Sequence, residues 1–492
     1  MWKLMEQYLQ FGILYMNYQE SLRIKKMIIN QNPWYQKLNN FENKIEFLSD
    51  LIFFGRLISV NDLVLEVVGL QQEIGSLCYI ECFRKKKKIL VTCEIIGFRE
   101  KKTFLISFDY TYNFFPGARV FIKSQKKNFL ENSQIFPFGR GLLGRILDST
   151  GFPLDQLGTF KGEIFYKSFY HKNINPLKRT PITKIFDTGI QAINSLLTIG
   201  QGQRIGIFAR PGVGKSLLLG MITRYSAVEI IIVALVGERN REVLDFVHNI
   251  LNKESLKKSI IIVSTADSPP ILRIKAVSYA TSLAEFFRSL NKNVLLICDS
   301  LTRYAIAYRE ISLSLGAFPI SRGYPVSIFS NIPSLIERTG NSMNKNGTIT
   351  SFYTILTEGD EDNDPILDIS KSILDGHIML SNILSNAGHY PAIDIELSIS
   401  RLMSSIVSSS HLKNAIFLKK LISCYNTHKD LITLGAYVPG KNFLLDQSVQ
   451  MWPLIEKFLK QDFLFSVSYD TSLLHLENLL KNLYVKKEKI NI

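Results

Sequence analysis

The eight residues Ala209 to Ser216 restrict the possible folds of this 492-residue chain more than any other segment. They read Ala-Arg-Pro-Gly-Val-Gly-Lys-Ser, and they follow the strand-like run Arg204 to Phe208. An apolar stretch that begins at Leu217 comes next and reads as a helix. Glycine lets a backbone approach a ligand closely, and the free N–H groups at the start of a helix attract anions. The segment therefore predicts a phosphate-binding loop in an α/β domain.

Each part of this loop suits one part of a nucleoside triphosphate. Lys215 would contact the β- and γ-phosphate oxygens, and the hydroxyl of Ser216 would bind Mg²⁺. Pro211 lacks an N–H, so we expect the main backbone donors to begin at Gly212. The nucleotide-binding residues expected from the loop are Gly212, Val213, Gly214, Lys215, Ser216 and Leu217. We therefore expect ATP and Mg²⁺ as the bound groups.

Two carboxylates come directly after apolar strands. Glu238 follows the run Ile230 to Val236, and Asp299 follows Val294 to Cys298. Parallel strands bind ligands at their carboxyl ends, so both carboxylates should face the loop. Glu238 is the expected general base that orients or deprotonates the attacking water. Asp299 is the expected residue that holds the Mg²⁺ hydration shell.

Two arginines lie close to these carboxylates in the sequence. Arg239 follows Glu238 directly, and Arg303 lies one helical turn beyond Asp299. A cation at this edge could stabilise charge on the transferred phosphoryl group. Both arginines are also compatible with ordinary surface ion pairs.

Local composition and residue periodicity divide the chain into four parts. Residues 1–45 mix amides, aromatics and charges at helical spacing, and 46–122 carry short β-branched runs typical of an all-β domain. Residues 123–403 alternate apolar strands with amphipathic helices, and 404–492 are helical. No run reaches the ~20 apolar residues of a membrane span, and residues 1–26 do not read as a secretory signal. We expect a cytoplasmic location.

The formal net charge of +15 is compatible with binding to nucleic acid or an anionic membrane. Lys, Ile and Asn are abundant along the whole chain, however, which indicates a general bias in residue usage. Residues 50–122 show no pair of strands that combines aromatic and basic side chains for base stacking. We therefore expect no specific nucleic-acid partner, although peripheral membrane association stays possible.

Several motifs together closely resemble the rotary ATPase superfamily. They are Gly212-Val213-Gly214-Lys215-Ser216, Gly237-Glu238-Arg239, Asp299-Ser300-Leu301-Thr302-Arg303-Tyr304, Glu337-Arg338-Thr339-Gly340 and Gly388-His389-Tyr390-Pro391-Ala392-Ile393-Asp394. The nearest branch is the flagellum-specific ATPases of type III protein export. The resemblance implies a small N-terminal β-barrel, a central RecA-like α/β P-loop domain and a C-terminal helical domain.

The resemblance also implies a homohexameric ring with nucleotide between subunits. Arg401, in Ser398-Ile399-Ser400-Arg401, matches the segment that carries an arginine finger into the neighbouring subunit's site. Tyr390 falls where the family stacks an aromatic ring on adenine, and Tyr437 lies near the second aromatic wall. From the residues alone, a helix-start ion pair is the favoured role for Arg401, and buried core positions are the alternative for both tyrosines.

Partners follow from the same resemblance. Residues 1–45 should bind a regulatory coiled-coil export protein, and the acidic turn Glu358 to Pro365 should contact a central stalk protein in the ring pore. The ring should act at the base of the export apparatus on the inner membrane, with the membrane export gate and chaperone–cargo complexes. Hydrolysis would unfold export cargo or release it from chaperones.

Three other functions compete with this interpretation. A catalytic subunit of an ATP synthase or vacuolar-type ATPase would share the fold and the site. A hexameric RNA translocase would fit the positive charge, and an ATP-binding assembly scaffold would fit the altered loop at Arg210 and Pro211. Ala209 and the run Asp299 to Arg303 favour the export branch.

Overall fold

The computed structural model describes residues 54–61, 63–84, 87–109, 114–122, 134–169, 174–342, 347–357 and 364–490, with isolated positions at 33, 34 and 37. The partner-binding role expected for residues 1–45 and the stalk contact expected at residues 358–363 fall outside these ranges. Among the described residues, no helix is long and apolar enough to cross a membrane.

The first domain is a closed β-barrel with the strand order β1-β2-β5-β4-β3-β6. Its strands are β1 (Phe54–Asn61), β2 (Val64–Val68), β3 (Leu77–Arg84), β4 (Lys87–Arg99), β5 (Lys102–Ser107) and β6 (Arg119–Phe121). Alternate residues of β3, Cys78, Ile80 and Cys82, point into the barrel and are buried, as the two-residue period of a strand requires. The predicted all-β character follows from this alternation.

One expectation for the barrel is wrong. The antiparallel pairing of β1 with β6 sets Phe54 opposite Phe121, and the Arg119 guanidinium lies 5.3 Å from the centre of the Phe54 ring. Arg56 lies 5.7 Å from the same ring. Aromatic and basic side chains therefore do share a face of this barrel. The sequence hides this pair because the two strands are far apart along the chain.

The central domain contains a nine-stranded sheet, in which β19-β18-β12-β17-β15-β13-β14-β8 follow one another and β16 pairs with β17. The pairings among β12, β13, β14, β15, β17, β18 and β8 are parallel. The strands are β8 (Ile146–Asp148), β12 (Arg204–Ala209), β13 (Ile230–Glu238), β14 (Ser259–Thr265), β15 (Asn293–Asp299), β16 (Gly340–Asn341), β17 (Thr348–Leu356), β18 (Gly376–Leu380) and β19 (Ile393–Ser400). Two small antiparallel pairs lie beside it, β7 (Ile135–Phe138) with β9 (Phe165–Ser168) and β10 (Ile185–Phe186) with β11 (Ile199–Gly200).

Helices cover the central sheet. They are α1 (Gln191–Leu196), α2 (Lys215–Tyr225), α3 (Asn240–Asp245), α4 (Lys253–Lys257), α5 (Pro270–Ser289), α6 (Leu301–Ser314), α7 (Ile328–Glu337), α8 (Pro365–Ile373), α9 (Asn382–Asn386) and α10 (Met403–Ile406). All nine residues of β13 are buried, which is expected for a parallel strand packed by helices on both faces.

The motif Glu337 to Gly340 lies near the start of β12, far along that strand from the phosphate-binding loop. The guanidinium of Arg204 donates two hydrogen bonds, of 2.9 and 2.8 Å, to the Glu337 carboxylate. Arg338 makes a matching pair of bonds, of 3.0 and 2.7 Å, to Glu285 of α5. Paired bonds of this kind fix geometry strongly, so the motif ties α7 and α5 to the sheet.

Three long helices form the C-terminal domain. They are α11 (Ser409–Thr433), α12 (Phe443–Leu459) and α13 (Tyr469–Ile490). The rings of Tyr425 and Trp452 stack at 3.8 Å and join α11 to α12. His411 of α11 hydrogen bonds to the Ser195 carbonyl of α1 at 2.7 Å, which anchors these helices on the central domain.

Candidate active site

The predicted phosphate-binding loop lies between β12 and α2. Gly212 and Gly214 have positive φ angles of 83° and 95°, a backbone region that glycine adopts without strain. Val213 is buried between them and anchors the loop in the core. Helix α2 begins at Lys215, so Ser216 and Leu217 lie in its first turn, where backbone N–H groups have no partner within the helix.

The Lys215 ammonium group lies between the two predicted carboxylates. Its Nζ is 2.9 Å from Glu238 Oε1, and it also forms an ion pair with Asp299. Asp299 is 3% exposed and Glu238 is 8% exposed. Adjacent parallel strands, β13 and β15, bring the two acids together. One cation therefore serves two nearly buried carboxylates, at the sheet edge where ligands bind.

Burial sets the proton affinities of these groups. It raises the pKa of Asp299 above its ordinary value, although the ion pair with Lys215 opposes this. Burial also raises the pKa of Glu238, and a hydrogen bond to the Glu242 carboxylate, which the protonated form of Glu238 donates, acts in the same direction. For Lys215, burial lowers the pKa, but the charges of Asp299 and Glu238 outweigh it and the net shift is upward. Carboxylates with raised pKa values are typical of catalytic sites.

Arg303 and Arg239 take different positions. The Cβ, Cγ and Cδ atoms of Arg303 pack closely on Gly237: a Cβ atom at that glycine would lie 2.8, 2.8 and 3.1 Å from them. Its buried Nε has no hydrogen-bond partner among the described residues. Arg239 is exposed and precedes α3. The structure thus packs the side chain of Arg303 on the strand end that carries Glu238, whereas Arg239, the next residue after Glu238, is exposed to solvent.

The aromatic ring of Tyr390 lies close to the phosphate-binding loop. A Cβ atom placed on Gly214 would lie 3.2 Å from Cε1 of the Tyr390 ring, so the ring is in near contact with the loop backbone. The ring is held at its far end by a 3.0 Å hydrogen bond between its hydroxyl and Ser385 Oγ. Tyr437, in contrast, donates a 2.5 Å hydrogen bond to Asp446 of α12.

Arg401 lies at the opposite edge of the sheet. It follows β19, whose Ser400 pairs with Gly376, and Gly376 pairs with Ile205 near the start of β12. The loop begins after Ala209, four residues further along β12, which corresponds to about 13 Å at the usual rise of a strand. Arg401 is exposed, and its guanidinium donates a 2.8 Å bond to the Lys371 carbonyl. It is therefore distant from the loop of its own chain.

Sequence reasoning missed two residues of this site. Thr354 of β17 donates a 2.6 Å hydrogen bond to Asp299 Oδ1, and Glu242 of α3 contacts Glu238. Thr354 is a polar residue inside a buried strand, a signal that could have been noticed. Glu242 gives no such signal, because glutamate in the first turn of an exposed helix is common.

The donor set fits a nucleotide with a divalent cation. The first turn of α2 offers backbone N–H groups and the hydroxyl of Ser216, and Asp299 offers a buried carboxylate oxygen. Hydroxyl and carboxylate oxygens are the ligands that Mg²⁺ accepts. The close approach of Tyr390 to Gly214 places an aromatic ring beside the loop.

A parallel sheet with a phosphate-binding loop, two buried carboxylates and a lysine between them defines a P-loop ATPase. Two family models match the chain, the ATP synthase alpha/beta family nucleotide-binding domain over residues 189–400 and the T3SS EscN ATPase C-terminal domain over residues 407–478. The chain belongs to the flagellum-specific ATP synthase family. It is an ATP-hydrolysing enzyme of the type III export branch, as the sequence predicts.

Two relatives from bacteria establish this membership. The chain is 52% identical over 470 residues to the flagellum-specific ATP synthase of Buchnera aphidicola subsp. Acyrthosiphon pisum, covering 94% of this chain and 97% of that one. It is 44% identical over 444 residues to the flagellum-specific ATP synthase of Salmonella typhimurium, covering 90% and 97%.

A solved structure confirms the predicted fold class. The assembled ATPase EscN from the type III secretion system of enteropathogenic E. coli matches with a TM-score of 0.80 and 38% identity, over 86% of this chain and 99% of that one. EscN in complex with its central stalk EscO matches with a TM-score of 0.77 and 37% identity, with the same coverage.

Proposed function

We propose that this chain hydrolyses ATP to ADP and phosphate in a homohexameric ring that energises type III export of flagellar proteins. The observation that best supports ATP hydrolysis is the position of the Lys215 ammonium group between the buried carboxylates of Glu238 and Asp299. Charges in so dry a site interact strongly with a polyanion.

Within this site we assign one role to each residue. The backbone from Gly212 and the ammonium of Lys215 bind the phosphates, and Glu238 orients the attacking water and accepts its proton. Ser216 and Asp299 would hold Mg²⁺, which when bound neutralises phosphate charge. Arg303, whose aliphatic stem packs on Gly237 and whose Nε has no hydrogen-bond partner in the described part of the chain, supplies a cation beside Glu238. Arg239 remains a further candidate cation at the same strand end.

The location of Arg401 supports assembly into a ring. It lies at the sheet edge opposite its own loop and is exposed, so it is available to a neighbouring subunit's site. An arginine supplied in trans is worth ~10³ or more in rate. The similar EscN is an assembled ATPase, and the same arrangement for this chain would make turnover depend on assembly.

The remaining partners follow from the similar proteins and from the sequence. EscN binds a central stalk, EscO, and we propose that an equivalent stalk occupies the pore of this ring. Residues 1–45 would bind a regulatory coiled-coil protein. We place the ring in the cytoplasm at the base of the export apparatus on the inner membrane, where hydrolysis unfolds cargo or releases it from chaperones.

Steady-state ATPase rate against protein concentration tests this proposal. We expect a cooperative rise with concentration for the unmodified chain, and a loss of about 10³-fold for Glu238→Gln and for Arg401→Ala. Gel filtration and ATP binding measured on the same samples separate loss of chemistry from loss of assembly or of folding.

A parallel series with single-stranded RNA tests the rival translocase, for which the Arg119 guanidinium beside the Phe54 ring of the barrel gives a reason. Turnover that requires RNA would overturn the export proposal. ATP binding without turnover at any concentration would instead identify a scaffold.

A further inference from the structure

The C-terminal helices reach the candidate active site through Gln461. This residue follows α12, and its backbone N–H donates a 3.0 Å hydrogen bond to the carbonyl of Tyr390. Tyr390 is the residue whose ring lies against Gly214 of the loop. The segment after α12 is thus bonded directly to the aromatic residue beside the phosphate-binding loop.

The side chain of Gln461 fixes the position of its own backbone. Its Oε1 accepts a 2.8 Å hydrogen bond from the backbone N–H of Gln191, the first residue of α1. Its Nε2 donates bonds of 2.8 Å to the carbonyls of Gly189 and Phe465. A helix leaves its first N–H groups without partners, so the amide oxygen of Gln461 supplies a bond that α1 lacks.

The anchor at Gly189 is itself rigid. Gly189 has a φ of 70°, and a side chain there would lie 2.4 Å from the Cβ of Tyr225. The Gly189 carbonyl also accepts a 3.0 Å bond from the N–H of Val467. Gln461 is therefore held against a part of the central domain that has little room to move.

Tyr390 is held at both ends by hydrogen bonds. Gln461 holds its carbonyl, Ser385 holds its hydroxyl, and the ring between them faces Gly214. The residue is 38% exposed, so part of the ring stays open to a ligand. Displacement of the Tyr390 carbonyl would also move the Tyr390 ring relative to the loop, because only two side-chain torsions, which prefer fixed rotamers, separate the ring from its backbone.

We propose that Gln461 is a positioning residue for ATP, which holds Tyr390 at the distance from the loop where its ring packs on the base. This inference rests on the adenine-stacking role that the family resemblance implies for Tyr390. It makes affinity for the base depend on the junction with the C-terminal helices. Phosphate binding, which uses Lys215 and the loop backbone, is independent of this junction.

The test compares full-length Gln461→Ala with the unmodified protein in steady-state ATPase assays. We expect the KM for ATP to rise about tenfold, since the substitution removes the three side-chain hydrogen bonds that hold residue 461, and through it Tyr390, in position. We expect kcat to change by less than about twofold, because no group at the phosphates is altered. The inhibition constant of tripolyphosphate, which lacks a base, should stay unchanged.

Two further variants control for general loss of structure. His475→Ala removes a 2.8 Å contact of the same junction, between His475 Nδ1 and Gln191 Oε1, without touching Tyr390, and should leave the KM within about twofold. Gln461→Glu keeps the acceptor for the Gln191 N–H and loses both donors. It should give an intermediate KM in a chain that still folds.

A double substitution decides whether Gln461 acts through Tyr390. In a Tyr390→Ala background, Gln461→Ala should raise the KM no further. A full additional rise, or an equal weakening of ATP and tripolyphosphate, would overturn the inference. If Tyr390→Ala alone leaves the KM for ATP unchanged, the inference also fails, while the hydrolytic roles of Lys215 and Glu238 are unaffected.

Discussion

Glu238 has charged neighbours that act on its pKa in opposite directions. Burial is the largest influence and raises the pKa, Lys215 lowers it, and Glu242 raises it through a hydrogen bond and its negative charge. A general base works only when ionised, so activity is lost as the pH falls through this raised pKa. The acid limb of kcat/KM should therefore lie above the ordinary glutamate pKa of 4.5.

The variant Glu242→Gln should shift the acid limb of the kcat/KM profile to lower pH. It removes a negative charge beside Glu238 and replaces a carboxyl partner with an amide that can donate to the ionised carboxylate, and both changes lower the pKa of Glu238. The measurement is kcat/KM for ATP across the acid range. Glu254→Gln, at an exposed glutamate of the neighbouring helix α4, is the matched control and should leave the limb in place. A shift in the opposite direction would exclude Glu238 as the base.

At the scale of elements, the barrel is joined to the central domain by a buried ion pair. Lys275 of α5 lies 2.5 Å from Glu94 of β4, and their side chains are 10% and 14% exposed. The Lys275 ammonium also donates a 2.6 Å bond to Gln134 and lies 5.0 Å from the Phe108 ring. Apolar contacts of Val64 and Ile106 with Ile271 and Ile311 surround this junction.

We expect Lys275→Met to destabilise the junction by about 3–5 kcal/mol, because it leaves the Glu94 carboxylate buried without a cation. The double variant Lys275→Met/Glu94→Leu should recover most of that loss, since no unpaired charge remains. Thermal unfolding, together with limited proteolysis between the two domains, measures both. Lys102→Met breaks the exposed ion pair of Lys102 with Glu66 on the same barrel and should cost less than about 1 kcal/mol. Equal effects of the two single variants would show that burial is not the cause.

The sequence predicts those parts of the site that depend on local order. Lys215 and Ser216 are recognisable because strand, glycine loop and helix are contiguous, and Glu238 and Asp299 because each follows an apolar strand. Parallel pairing then brings the strand ends together without further information. The roles assigned to these residues stay predictions until the variants are measured.

Contacts between distant segments were not predictable in the same way. Gln461 meets Gln191 across 270 positions of the chain, and Lys275 meets Gln134 across 141. Neither contact has a sequence signature, since an amide or a lysine at such a position also suits solvent exposure. Only the tertiary packing of these distant segments on one another determines which of these polar residues become partners.

At the scale of the whole molecule, the sheet itself separates the two halves of the proposed chemistry. Glu238 and Lys215 lie at the carboxyl edge, and Arg401 lies beside the start of β12 at the other edge. A chain that needs both groups at one phosphate must therefore take one of them from a neighbour. Head-to-tail contacts of this kind form a ring when the rotation between neighbours closes, and every interface of that ring is equivalent.

Mixing two inactive variants tests this arrangement directly. Glu238→Gln chains keep Arg401, and Arg401→Ala chains keep Glu238, so a site that combines one of each is intact when the arginine acts in trans. Random assortment of equal amounts gives about a quarter intact sites, and the mixture should recover up to about a quarter of the unmodified ATPase rate. Arg309→Ala, at an arginine that packs 5.0 Å from the Tyr324 ring, replaces Arg401→Ala as the control and should already be active alone. If the mixture of the two inactive variants stays inactive although the chains co-assemble in gel filtration, Arg401 does not act on a neighbouring site.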